Sequence, residues 1–269
     1  MKKIIILLSL LLVLVGCSSE SSNETKEDTF TVGMECNYAP FNWTTLEAND
    51  TAVKISDVDY CDGYDVVIAS KVAKALNKTL VIKKIAWEGL EPALSSGEID
   101  AIIAGMTETP ERAQNADFTS PYYESDMVMI VRKDDDLVNA TNIQDFSGKK
   151  VLGQINTLYD DIIPQIEGVN HAVPLATYPL MVVSLQSGEV DALTAELPVA
   201  TGVVSANPDL AIVQFSEGNG FEADTTVSIA VKKGNTELLD LLEEALKDIS
   251  MDERNQLMLD ATNRQPAGE

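Results

Sequence analysis

One segment of the sequence occurs twice, and this repeat restricts the possible folds more than any other feature. Residues 94–104 read LSSGEIDAIIA and residues 185–195 read LQSGEVDALTA, so the offset is 185 − 94 = 91 residues, and seven of the eleven positions are identical. In each copy, a predicted helix end and a Ser-Gly turn precede a short apolar run that is typical of a buried parallel strand. A single recurrence at this distance predicts two similar α/β lobes rather than a solenoid.

The residues that follow the two copies predict a ligand site between the lobes. The first copy leads into Gly105 and then into a helix predicted to begin at Thr109, with Arg112 in its first turn. Because that end of a helix is already positive, an arginine there indicates an anion-binding site; the alternative is an Arg112 that faces solvent or pairs with Asp117. The second copy is followed directly by Glu196. Ligands of open α/β sheets bind beyond the carboxyl ends of the strands, so this cation and this anion predict a zwitterionic ligand.

Residues at the ends of other predicted strands are further candidates for the site. Glu35 ends the first predicted strand and Tyr38 follows it, while Trp87 follows the strand predicted to end at residue 85. A core position and a ligand-stacking role are both open for Trp87. Thr157 begins a helix predicted over 157–166, and it is either a second anion contact or only a helix cap.

The first 17 residues predict a lipoprotein signal peptide. Two lysines precede a short apolar run and a Leu-Val-Gly-Cys box that ends at Cys17. The run is shorter than the roughly 20 residues that a membrane-spanning helix needs. We therefore expect export and attachment to the cell membrane only by a lipid on Cys17; an ordinary signal peptide with a chance cysteine is the alternative.

The remaining chain divides into a linker and two lobes. The segment at 18–28 is polar and acidic, which predicts a flexible linker. The predicted bounds are 29–126 and 227–269 for lobe 1, and 127–226 for lobe 2, with hinge strands at the edges of lobe 2.

Charge and cysteine content exclude several classes of protein. The net charge of −24 argues against a nucleic-acid partner. Cys36 and Cys61 are the mature cysteines besides Cys17, and outside the cytoplasm they are expected to form a disulfide. Two cysteines and one histidine, His171, do not make a metal site, and the sequence predicts no cofactor.

Four segments together resemble the extracellular solute-binding proteins of family 3, the polar amino-acid receptors of ABC importers. They read GMECNYAPFNW, YCDGYDVVIASKVAKAL, WEGLEPALSSGEIDAIIAGMTETPER with DFTSPYY, and SGEVDALTAELPVA. The resemblance covers the chain from residue 30 onward. It implies two doubly wound α/β lobes joined by two crossover strands, the type II fold of periplasmic binding proteins, which closes on a ligand by hinge bending.

The resemblance also implies roles for single residues at the α-carbon end of an amino-acid ligand. The family's arginine for the α-carboxylate falls on Arg112, the hydroxyl that assists it on Thr107, and a backbone contact on Gly105. The amide contact from the second lobe falls on Thr157. The acid for the α-amino group falls on Glu196, where many members have aspartate.

The resemblance implies fewer contacts for the ligand's side chain. Tyr38 and Trp87 match aromatic positions that flank it, and Glu35 matches an acid that binds the far end of basic or amide side chains. Asn156 stands where many members have glycine, and Ala104 stands where some receptors for basic amino acids have serine. From Glu35 beside Tyr38 and from the face of Trp87, we expect a basic or amide side chain on the ligand; the alternative is a Glu35 solvated at the cleft rim.

The sequence as a whole predicts a monomeric, non-catalytic receptor that binds a free amino acid outside the cytoplasm and delivers it to the permease subunits of an ABC importer. One alternative is a dehydratase-like enzyme with the same fold, for which Glu35 and Glu196 are the candidate proton-transfer groups. Another is an extracellular amino-acid sensor, although such domains are usually joined to a spanning helix and an output domain.

Overall fold

The computed structural model of the chain describes residues 28–266. The predicted signal peptide, the lipidation site Cys17 and nearly all of the predicted linker lie outside these residues. Within residues 28–266, no helix combines the length and the apolar character that crossing a membrane requires.

The described residues form fourteen strands and seven α-helices. The strands are β1 (Thr29–Met34), β2 (Asn37–Tyr38), β3 (Asn42–Thr45), β4 (Val53–Lys54), β5 (Tyr60–Asp62), β6 (Thr79–Lys84), β7 (Ala101–Ile102), β8 (Ala116–Phe118), β9 (Met127–Arg132), β10 (Lys150–Leu152), β11 (Asn170–His171), β12 (Ala192–Glu196), β13 (Leu210–Val213) and β14 (Ala230–Lys232). The helices are α1 (Tyr64–Ala75), α2 (Trp87–Ser96), α3 (Leu158–Asp161), α4 (Tyr178–Gln186), α5 (Leu197–Ala206), α6 (Thr236–Lys247) and α7 (Met251–Arg264).

Two five-stranded sheets form the centres of two lobes. The sheet of lobe 1 has the order β6-β1-β7-β14-β8, and the sheet of lobe 2 has the order β11-β10-β12-β9-β13. In each sheet the first three strands are parallel to one another. The fourth strand runs antiparallel to both of its neighbours, the third and the fifth strands. Strands such as β7 and β12 are buried along their whole length, which explains their apolar sequences.

The sequence repeat forms the same structure in both lobes, since β7 and β12 are the third strands of their sheets. Gly97 and Gly188 follow the preceding helices with φ angles of 79° and 78°, a left-handed conformation that favours glycine. The carboxylates of Asp100 and Asp191 each accept a hydrogen bond from a backbone N–H of the adjacent strand, with N···O distances of 2.8 and 2.7 Å. The repeated residues therefore hold neighbouring strands together.

The chain crosses between the two sheets twice, and the crossing segments run antiparallel to each other. The N–H of Tyr122 donates to the carbonyl of Val227 at 2.8 Å, and the N–H of Val227 donates to Tyr123 at 2.9 Å. Two lobes with doubly wound sheets and two connecting strands confirm the predicted fold.

The predicted disulfide is present between Cys36 and Cys61. It connects the segment after β1 to β5 of the small four-stranded sheet, which has the order β2-β3-β5-β4. This sheet lies beside the carboxyl end of β1, where ligand contacts were predicted.

The prediction of a helix that begins at Thr109 is wrong. Thr109 does accept the N–H of Arg112 at 3.2 Å, but only a three-residue 3₁₀ helix, Arg112–Gln114, follows. The chain turns away because β8 begins at Ala116 as the edge strand of the sheet. The alternative prediction, that Arg112 pairs with Asp117, is also wrong, since Asp117 pairs with Lys233 at 2.7 Å.

The helix predicted over 157–166 is shorter than expected. α3 ends at Asp161, and a separate 3₁₀ helix, Ile163–Gln165, continues the chain. Pro164 explains the break because proline lacks the N–H that an α-helix interior requires.

Candidate functional site

A cavity lies between the lobes, beyond the carboxyl ends of the central strands. The empty space between its lining atoms totals about 330 Å³, solvent-open space included, and about 20 Å³ of it can hold the centre of a water molecule. The residues that line it come from both lobes: Glu35, Tyr38, Trp87, Ala104, Gly105, Thr107 and Arg112 from lobe 1, and Gln154, Thr157, Leu158 and Tyr159 from lobe 2. Seven of the eight predicted site residues are among them, and Glu196 is not.

The guanidinium of Arg112 is the cationic group of the cavity wall. It donates from Nη1 to the carbonyl of Thr107 at 2.9 Å and from Nη2 to the carbonyl of Asn156 at 3.0 Å. Its Nε lies 3.4 Å from a carboxylate oxygen of Glu91, and its central carbon, Cζ, lies 5.2 Å from the centre of the Trp87 ring. Burial lowers the pKa of Arg112, and Glu91 raises it again. A guanidinium carries five N–H groups, so two remain for a ligand.

Two backbone N–H groups lie beside this guanidinium. Thr107 and Thr157 are both buried, and neither backbone N–H donates to a protein acceptor within residues 28–266. Thr157 also makes no side-chain capping bond, because its hydroxyl donates to the carbonyl of Gln154 at 2.7 Å. Unpaired buried donors next to a cation favour a carboxylate ligand.

The carbonyl of Asn156 connects the lobes at this end of the cavity. It accepts the indole N–H of Trp87 at 2.9 Å and one N–H of Arg112 at 3.0 Å, both from lobe 1. Asn156 has a φ angle of 57°, in the left-handed region that asparagine tolerates better than most residues. Trp87 packs against the apolar core and also lines the cavity, and its ligand-stacking role stays a prediction.

An acid and an amide form another part of the wall. Glu35 is 7% exposed, and its carboxylate accepts a hydrogen bond from the Gln154 side chain at 3.2 Å. Burial raises the pKa of Glu35, while the bond from Gln154 and the charge of Lys84 lower it. This pair offers acceptors for a cationic or amide group of a ligand.

Glu196 lies behind the cavity wall instead of in it. Its fully buried carboxylate accepts hydrogen bonds from the hydroxyls of Tyr38, of Tyr159 at 3.0 Å and of Ser125 at 2.8 Å. Burial raises the pKa of Glu196, and these three bonds lower it. Since Tyr38 and Tyr159 line the cavity, the acid contacts it through their hydroxyls.

Sequence reasoning did not assign four lining residues to the site: Ala104, Gln154, Leu158 and Tyr159. Gln154 follows β10 as Glu35 follows β1, so the rule that ligands bind beyond strand ends would have found it. Tyr159 carried no comparable signal, because it lies inside a short helix. Among residues 28–266, no group of three or more potential metal ligands occurs.

Two α/β lobes around a polar cleft at the strand ends define a solute-binding protein. Residues 30–260 match the bacterial extracellular solute-binding proteins, family 3, and the chain belongs to this family.

Relatives and solved structures cover most of the chain. The putative ABC transporter arginine-binding protein 2 of Escherichia coli K12 is 29% identical, over 86% of this chain and 89% of the relative. A probable histidine-binding protein of Campylobacter jejuni is 31% identical, over 78% of each. An amino acid ABC transporter substrate-binding protein of Streptococcus pneumoniae bound to L-arginine superposes with a TM-score of 0.76 at 27% identity, over 88% of this chain and 95% of that one. These comparisons support neither the enzyme nor the sensor alternative.

Proposed function

We propose that this protein binds a free amino acid outside the cytoplasm and delivers it to the permease subunits of an ABC importer. One observation carries the proposal: the cavity combines a guanidinium and unpaired backbone N–H groups with carboxylates in and behind its wall. A zwitterionic ligand needs both kinds of partner. Relatives described as arginine-, histidine- and glutamine-binding proteins support the assignment.

The α-carboxylate of the ligand binds to the two remaining N–H groups of Arg112 and to the backbone N–H groups of Thr107 and Thr157. Gly105 contributes a further backbone contact through its carbonyl, to the α-ammonium, because its N–H donates to the hydroxyl of Tyr122. The carboxylate of Glu196 balances the positive charge of the α-ammonium. The tyrosine hydroxyls that donate to Glu196 lie between the two charged groups.

The ligand's side chain extends toward Glu35 and Gln154 and carries a basic or amide group. The rings of Tyr38 and Trp87 flank it. A cationic side chain fits best, because aromatic faces and a buried carboxylate both attract a cation.

The two crossing segments act as the hinge of a monomeric receptor, with lobe 1 at 29–126 and 227–269 and lobe 2 at 127–226. Closure brings Arg112 of lobe 1 and the backbone of Thr157 of lobe 2 onto one ligand. A lipid on Cys17 attaches the receptor to the membrane beside its permease.

A thermal-shift screen against the common amino acids tests the function. A ligand at 100 times its Kd stabilises the protein by about 2.7 kcal/mol. We expect the largest shifts with arginine, lysine, histidine or glutamine. No shift with any amino acid would refute the function, and a best ligand with an aliphatic or acidic side chain would refute only the assignment of the side-chain pocket.

A further inference from the structure

One fully buried acid, Asp65 on α1, is not used by the proposed function. Asp65 takes part in no ion pair within residues 28–266, and its two carboxylate oxygens have neutral partners, among them the backbone N–H of Gly105. They accept hydrogen bonds from the hydroxyl of Tyr122 at 2.7 Å and from the side-chain amide of Asn42 at 2.8 Å. A buried charge without a cation is unfavourable, so its presence calls for a reason beyond packing.

A hydrogen-bond chain connects Asp65 to the cavity wall. The hydroxyl of Tyr122, which donates to Asp65, accepts the backbone N–H of Gly105 at 2.9 Å. Gly105 lines the cavity with a φ angle of 61°, and a Cβ at this position would lie 3.2 Å from the Tyr38 ring. The N–H of Gly105 thus donates to Tyr122 and also acts on the Asp65 carboxylate, so both residues hold this part of the wall.

We propose that Asp65 is a positioning residue for the ligand: its carboxylate orients Tyr122, Tyr122 fixes Gly105 in the cavity wall, and protonation of Asp65 weakens ligand binding. This inference rests on the proposed function, because it concerns the same cavity. An ionised carboxylate is a stronger acceptor for the Tyr122 hydroxyl than a neutral carboxyl group.

The titratable groups that act on Asp65 place its protonation in an accessible pH range. Tyr122 and its neighbour Tyr64 face it in lobe 1, and Glu196 acts on it from lobe 2. Burial raises the pKa of Asp65 to about 7, with a further increase from Glu196 and a decrease from hydrogen bonds to Tyr122, Asn42 and the backbone of Gly105. The ligand's ammonium favours the ionised form, so ligand binding near neutral pH releases a proton.

Affinity and stability should then depend on pH in opposite directions. Affinity is full above pH 7 and falls as Asp65 is protonated, by up to about tenfold per pH unit. The folded state binds this proton more tightly than the unfolded state, in which an aspartate has a pKa near 3.8. The free energy of unfolding contributed by Asp65 therefore decreases as pH rises from about 4 to about 7.

Matched variants that remove one buried hydroxyl test the hydrogen-bond chain. Tyr122→Phe removes the hydroxyl that accepts the Gly105 N–H, and we expect about tenfold weaker binding of L-arginine or L-glutamine. Thr119→Val is the control: Thr119 is also buried, its hydroxyl accepts the backbone N–H of Ile229 at 3.1 Å, and it does not line the cavity. Both variants should lose stability, but only Tyr122→Phe should lose affinity. Equal affinities of the two variants would refute the proposal.

Asp65→Asn tests the role of the proton. Asparagine retains an acceptor for Tyr122 but does not titrate, so the affinity for L-arginine should vary less between pH 6 and pH 8 than in the wild type. Any slope that remains reports other carboxylates of the site, such as Glu35 and Glu196, whose pKa values burial also raises. In a Tyr122→Phe background, Asp65→Asn should change affinity less than it does in the wild type.

The outcomes separate this inference from the proposed function. A wild type that binds L-arginine or L-glutamine with the same pH profile as Asp65→Asn overturns the role of Asp65 but keeps the function. A wild type that binds no amino acid overturns both.

Discussion

Replacement of Arg112 by alanine removes the cation that is proposed to bind the ligand's carboxylate. Arg112 is 8% exposed, and two of its five N–H groups remain for a ligand after the bonds to Thr107, Asn156 and Glu91. Removing one partner of such a buried charged pair costs about 2–5 kcal/mol, or roughly 30-fold to several thousand-fold in Kd. Arg112→Lys keeps the charge but loses the bidentate geometry, so a loss of roughly 10- to 100-fold is expected.

Isothermal titration calorimetry with the best ligand of the screen measures these losses. Arg254→Lys is the matched control, because Arg254 is also 8% exposed and also donates to backbone carbonyls, those of Ile249, Pro121 and Leu246. It does not line the cavity. We expect Arg254→Lys to lower the melting temperature and to leave Kd unchanged. An Arg112→Ala variant with near-normal affinity would show that the carboxylate binds elsewhere.

Three further predictions concern other parts of the site. Glu35→Gln should weaken binding of a basic ligand by tenfold or more and that of glutamine much less, which competition titrations can measure; equal losses would remove Glu35 from the side-chain pocket. Glu196→Gln should weaken binding of the amino acid by roughly 30-fold or more, with a much smaller effect on its deaminated analogue; equal effects on both would mean that Glu196 does not recognise the ammonium. The ligand should reduce the radius of gyration measured by X-ray scattering, and superposing curves with and without saturating ligand would contradict hinge closure.

The repeat made the fold predictable from the sequence, for a reason that the structure explains. Its glycines and aspartates form the same helix end and the same strand contact in both lobes, which is why both copies contain them. The carboxyl ends of strands then indicated where Glu35, Gly105 and Thr157 meet. These signals are local, and a sequence displays local constraints directly.

The surroundings of Arg112 and Glu196 were less predictable. The anion site was derived from a helix N-terminus, but the helix is a single 3₁₀ turn, and the donors beside Arg112 are the isolated N–H groups of Thr107 and Thr157. Glu196 is the last residue of its strand, β12, yet two tyrosines from different lobes separate it from the cavity. Contacts of this kind depend on how the lobes meet, which no short segment encodes.

The shared carbonyl of Asn156 has a consequence for how affinity is set. Trp87 and Arg112 bind it across the cleft, so part of the free energy that holds the lobes together comes from the protein alone. The ligand supplies only the remainder. A receptor with this arrangement can gain or lose affinity through residue 156 without any change in the residues proposed to contact the ligand's side chain. Strength and selectivity of binding are then separately adjustable properties of one cleft.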